Sequence, residues 1–183
     1  MLKSMNKVLC WLPFCILVFV LGSATAEPPS PSLTPDELLT VQLINAERVE
    51  RKLEPLHLDP ILVEVARQHS EDMATRAYFD HLAPAPQPKT PMDRYAVAIG
   101  RKPEIVVGEN IGHSAEPVMG IIHEYMMDSP EHRANILDAE YVSVGVGIYM
   151  LNDGRVWLTE MFRGERRGER ADERDTTRSS AAG

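Results

Sequence analysis

The stretch Tyr141–Phe162, YVSVGVGIYMLNDGRVWLTEMF, decides the fold. A valine-rich run from Tyr141 to Leu151 and an apolar run from Val156 to Phe162 flank Asn152-Asp153-Gly154, and Asp-Gly between two such runs is a hairpin signal. The segments before it carry mostly helical periodicity. Helices followed by a terminal antiparallel hairpin give an α+β domain with helices packed on a small antiparallel sheet.

Immediately upstream lies Asp128–Leu137, DSPEHRANIL. Ser129 followed by Pro130 is a helix start, because a serine hydroxyl caps free amides and proline at the first helical position lacks no needed donor. His132 then sits in the first turn. There the positive end of the helix dipole disfavours imidazolium and leaves a neutral ring able to bind metal or accept a proton.

Further out, Glu116-Pro117 opens a helix to about Met127 whose apolar side reads Val118, Ile121, Ile122, Tyr125 and Met126. Ile105-Val106-Val107 reads as a short strand ended by Gly108-Glu109-Asn110. Thr90-Pro91-Met92-Asp93 opens a short helix through about Ile99, and the three prolines of Leu82–Lys89 make a loop directly after His81. Asp59-Pro60 starts a helix that buries Leu62, Val65, Ala66, His69, Met73 and Ala77 and ends at Tyr78-Phe79-Asp80-His81. His69, on that apolar stripe, reads as a packed core histidine. A capping box, Thr34 to Glu37, begins the first helix, which runs to Lys52-Leu53.

The two ends read differently from the middle. Lys3 and Lys7 precede the apolar run Val8–Leu21, and Ala24-Thr25-Ala26 supplies a cleavage site, so residues 1–26 read as a signal peptide. The run is too short for a transmembrane helix, which needs about 20 residues. Residues 27–35 form a proline-rich leader, residues 36–163 the domain, and residues 164–183 a charged tail with nothing large to bury. Both cysteines, Cys10 and Cys15, fall in the signal segment, which leaves neither a disulfide framework nor a thiol nucleophile.

Without Lys3 and Lys7, 17 basic residues face 27 acidic ones, a net charge of −10 with histidine neutral. So acidic a chain argues against nucleic acid as a partner. His123-Glu124 begins like a zinc-protease HExxH, but residue 127 is methionine; no GxSxG elbow is present.

Four motifs in order, FDH at 79–81, GENI at 108–111, SPEHRANIL at 129–137 and GVGI at 145–148, resemble the CAP superfamily of cysteine-rich secretory proteins, antigen 5 and pathogenesis-related 1 proteins. The likeness, to a short cysteine-free bacterial branch, runs from about Leu38 to Phe162. It implies a three-layer α-β-α sandwich. It also implies a cleft lined by two histidines and two acidic residues that in some members bind a divalent metal. By motif these fall on His81, Glu109 and His132, with Glu124 and Asp128 as the two candidates for the second acid.

Two imidazoles and a carboxylate suit Zn2+ or another borderline divalent ion, and the same groups could hold a water for proton transfer or form a structural cluster. The signal segment implies a secreted protein, extracellular or periplasmic, expected to be a monomer, and the resemblance implies a binding module whose groove takes a lipid, small molecule or peptide. Two other classes stay open: a metal-dependent hydrolase with Glu109 as base, and a structural domain of the cell envelope.

Overall fold

A computed structural model describes residues 32–164. The signal segment, residues 27–31 of the leader and the tail from residue 165 lie outside the described residues. In chain order the elements are α1 (Pro35–Glu50), β1 (His57–Leu58), α2 (Pro60–Thr75), α3 (Pro91–Ala98), β2 (Val107–Ser114), α4 (Met119–Asp128), α5 (Pro130–Ile136), β3 (Tyr141–Met150) and β4 (Val156–Gly164).

The expected hairpin is the centre of the sheet. β3 and β4 pair antiparallel with Val146 opposite Glu160, and Gly154 turns the chain at φ +88°, a conformation glycine adopts without strain. Strand order is β1-β3-β4-β2, with β2 antiparallel to β4. β1, which the sequence did not announce, adds two residues parallel to β3, so the sheet is antiparallel except along this edge.

Side chains alternate across β4 and define the layers. Val156, Leu158 and Phe162 face α1, α4 and α5, where they meet Ile44, Ile122, Met126 and Ile136. Trp157 and Met161 face the other way, toward Leu62, Met73 and Ala74 of α2 and Tyr95 of α3. The result is the three-layer α-β-α sandwich, and each such large apolar side chain contributes about 1.5–3 kcal/mol on burial. α2 lies very close to the sheet: a Cβ on Gly147 would stand 2.0 Å from the backbone nitrogen of Arg67, and one on Gly145 would stand 2.3 Å from the carbonyl carbon of Leu62.

Polar side chains close the margins. Arg48, 1% exposed, donates from Nε to the carbonyl of Glu54 and from its two Nη to those of Ile136, Asp138 and Tyr141, tying α1 to the turn before β3. Glu37 accepts from Arg67 at 2.7 and 2.6 Å, from the Thr34 amide at 2.8 Å, and from the Ile148 amide beyond the short β1 at 3.4 Å. Thr34 caps α1 as its capping box predicts, and Pro35, the last residue of the expected leader, is the first of the helix.

Several readings change. β2 begins where a strand was expected to end, because Gly108 and Gly112 are small side chains of a strand here and not a turn: a Cβ on them would meet Tyr141 Oη at 2.2 Å and Met126 Cε at 2.7 Å. α2 stops at Thr75, since Ala77 takes φ +56°, and Phe79-Asp80-His81 lie beyond the helix in the following loop. α4 buries Met119, Ile122, His123 and Met126, while Val118, Ile121 and Tyr125, the last 71% exposed, face outward. Ser129 occupies the cap position of α5 without a hydroxyl hydrogen bond, and Gly164 ends β4 instead of opening the tail.

Candidate functional site

β2 is an outer strand, so consecutive residues on it reach opposite layers of the sandwich. Glu109 points into the α2 and α3 layer; Asn110 points toward α5. The candidate cleft is built around this edge.

On the first side, His81 Nδ1 lies 2.9 Å from Glu109 Oε1, and Arg94 of α3 donates from Nη2 to the other oxygen, Oε2. The Glu109 side chain is almost fully buried and the His81 side chain is 47% exposed, so the carboxylate holds the inner edge of the ring and leaves the outer edge to solvent. Its hydrogen bond to Glu109 raises the His81 pKa above the ordinary histidine value, against an opposing effect of burial. Arg94 also donates from Nη1 to the carbonyls of His81 and Lys89, and Ala83 N donates to the Lys89 carbonyl. The proline loop is thereby closed at its base. At its far end, Arg76 donates to the carbonyls of Pro84 and Ala85 at 3.1 and 2.8 Å.

His69 joins this cluster from α2. Its Nε2 stands 3.8 Å from Glu109 Oε1, its Nδ1 stands 3.4 Å from Tyr78 Oη, and the Tyr78 hydroxyl donates to Asp72 at 2.5 Å. Burial holds the His69 pKa down, although Glu109 draws it the other way. The sequence reading of His69 as a buried histidine stands, and its position beside Glu109 is an addition. Neither His69 nor Arg94 carried a motif signal; for Arg94 the one available hint was its place in the first turns of a capped helix, opposite an acidic strand.

On the second side, Asn110 Nδ2 donates to the His132 carbonyl at 3.1 Å and to buried Glu160 Oε2 at 2.9 Å. Asn135 Nδ2 donates to Asn110 Oδ1 at 2.8 Å and to the Glu109 carbonyl at 3.2 Å. Both asparagines thus satisfy backbone and side-chain groups around the cleft. Arg133 donates to the Met127 carbonyl at 2.6 Å, holding the α4 to α5 corner. Half-buried His132 has its pKa lowered, first by burial and then by His81, whose charge opposes its own.

Glu124 is exposed on α4 and Asp128 ends it, and neither hydrogen-bonds to His81, Glu109 or His132 among the described residues. Nor, among these residues, do three or more His, Cys, Asp or Glu side chains converge as ready-made metal ligands. No described helix is long and apolar enough to cross a membrane.

Residues 41–162 match the model of the cysteine-rich secretory protein (CAP) family. The chain is 33% identical over 144 residues to the uncharacterized protein YkwD of Bacillus subtilis (strain 168), a match covering 78% of this chain and 52% of that protein. It spans about half the length of that relative. Among solved structures, an extracellular SCP-domain protein of Bacillus anthracis str. Ames superposes with TM-score 0.60 at 27% identity, covering 74% of this chain and 45% of that one. NaASP2, crystallised with Zn2+, shares the fold at TM-score 0.52 and 11% identity, over 73% of this chain and 82% of the other. By sequence and by fold, this chain belongs to the cysteine-rich secretory protein, or CAP, family.

Proposed function

We propose that this domain is an exported binding module, acting outside the cytoplasm, whose cleft at His81, Glu109 and His132 takes a divalent metal ion and whose surface accepts a lipid, small molecule or peptide. The observation that carries the reading is the division of labour on Glu109: one oxygen faces His81 Nδ1 and the other is held by Arg94. With both oxygens engaged and the side chain only 1% exposed, Glu109 has little open face toward a substrate, which favours binding over hydrolysis.

The donor set fits an ion held by imidazole. A carboxylate that fixes Nδ1 orients the ring and leaves Nε2 as the ligand, the arrangement that metal-bound histidines commonly show. His132, whose pKa burial and the charge of His81 lower, supplies the second imidazole. Glu109 then serves from behind His81 and not on the ion itself. With two protein ligands the ion keeps water in its remaining positions, and affinity falls below that of a three-ligand site. The presence of Zn2+ with NaASP2 is consistent with this choice of ion.

Calorimetric titration with Zn2+ of the full chain, and of His81→Ala and His132→Ala, tests the reading. Each substitution is expected to abolish measurable binding. Full affinity in both variants would overturn it.

A further inference from the structure

Between α2 and α3, with the proline loop at one end, runs an open groove of about 750 Å3. Its size is that of a ligand site, about 300–1000 Å3. The α2 wall presents Ile61, Glu64, Gln68, Glu71, Asp72 and Thr75; Val97 and Ala98 of α3 stand opposite. At helical rise this wall extends about 21 Å from Ile61 to Thr75, the length of about six residues of extended peptide.

Two features of the groove point to a ligand. Arg94 and His69 both line it, and Arg94 Nε and His69 Nε2 are buried without a hydrogen-bond partner among the described residues. The Arg94 Nε–H is a buried donor without an acceptor, which is uncommon and costly. The second feature is charge. Arg94 is neutralised by Glu109, and Asp72 is shared with Arg76 and Tyr78, but neither Glu64 nor Glu71 forms an ion pair within 4 Å among the described residues. The rim is therefore acidic, and it repels fatty-acid carboxylates and phosphates alike.

We propose that this groove binds an extended basic peptide segment. Lys or Arg side chains lie on Glu64 and Glu71, alternate apolar side chains lie on Ile61, Val97 and Ala98, and a peptide carbonyl seated at the floor gives Arg94 Nε–H its acceptor. Side chains alternating along an extended chain separate these two contacts naturally. The inference rests on the reading of the domain as a binding module but not on the metal site.

The test is fluorescence anisotropy of the full chain at low salt with labelled Leu-Lys-Leu-Lys-Leu-Lys and with its glutamate counterpart, Leu-Glu-Leu-Glu-Leu-Glu. The lysine peptide is expected to bind and the glutamate peptide not. Glu64→Lys/Glu71→Lys should weaken the lysine peptide by about tenfold or more and gain affinity for the glutamate peptide, a gain that an unfolded variant would not show. Reversal of the same charge elsewhere, Glu50→Lys/Glu54→Lys, should change neither. Equal binding of both peptides, no binding of the lysine peptide, or equal loss in both double variants would overturn the proposal. Zn2+ titration of Glu64→Lys/Glu71→Lys keeps the two readings apart: it should match the parent chain whatever the peptides do.

Discussion

His81 Nδ1 and Glu109 Oε1 stand 2.9 Å apart, and the second oxygen of Glu109 is held by Arg94, so one buried carboxylate joins the loop after α2 to helix α3 and strand β2. Removing Arg94 strands that carboxylate. Arg94→Met should lower unfolding free energy by about 3–5 kcal/mol in urea denaturation, the cost of an unpaired buried charge. Arg94→Met/Glu109→Gln should lose less than the sum of its single variants, because the charge that needed a partner has gone.

Glu160 sits fully buried on β4 with Asn110 on one oxygen, and its Oε1 has no hydrogen-bond partner among the described residues. Burial raises its pKa from 4.5 to about 7, with the Asn110 hydrogen bond opposing. The folded state thus binds the proton more tightly than the unfolded state. Its favourable contribution is complete below about pH 4.5 and is lost as pH rises to about 7. The stability of the parent chain relative to Glu160→Gln should fall by about 3 kcal/mol across that window. A difference flat with pH would count against this assignment.

The glycines of β3 and the glycine of α4 should respond in opposite ways. Gly147→Ala places a methyl 2.0 Å from backbone of α2 that has no room to move, and should destabilise the fold by more than about 4 kcal/mol or prevent folding. Gly120 has nothing within 4 Å of an added Cβ, so Gly120→Ala should raise stability by about 0.5–1 kcal/mol. Thermal melts of the two variants check the contrast.

Among the described residues the Arg48 side chain hydrogen-bonds to four carbonyls, spread over the α1 to β1 connection and the turn before β3. Arg48→Met leaves these buried acceptors unpaired and should cost more than about 3 kcal/mol. Arg48→Lys should recover less than half, because one ammonium does not reach the places that a guanidinium fork spans.

Local chemistry that acts within a few residues was legible in the chain. The capping boxes at Thr34 and Thr90, the Asp59 cap and the Asp-Gly turn all appear where their residues stand. Choices made by tertiary packing were not. Gly108-Glu109-Asn110 has turn composition, but the bulk of Tyr141 makes a glycine necessary at residue 108 of a strand there. On α4 two apolar stripes competed, and only the position of α1 and the sheet decided that His123 goes inside and Tyr125 outside.

The same holds for the site. The motif resemblance brought forward His81, Glu109 and His132. Arg94 and His69 escaped notice because an arginine in a short helix and a histidine on an apolar stripe look ordinary until the sheet places Glu109 between them.

The central claim, that His81 and His132 share one ligand across the β2 edge, is tested most directly by following the imidazole Cε1–H signals of the full chain during Zn2+ titration. His81 and His132 should shift together with a single saturation point while His57 and His113 stay fixed. Shifts confined to one of the pair, or spread evenly over all the histidines, would contradict the account.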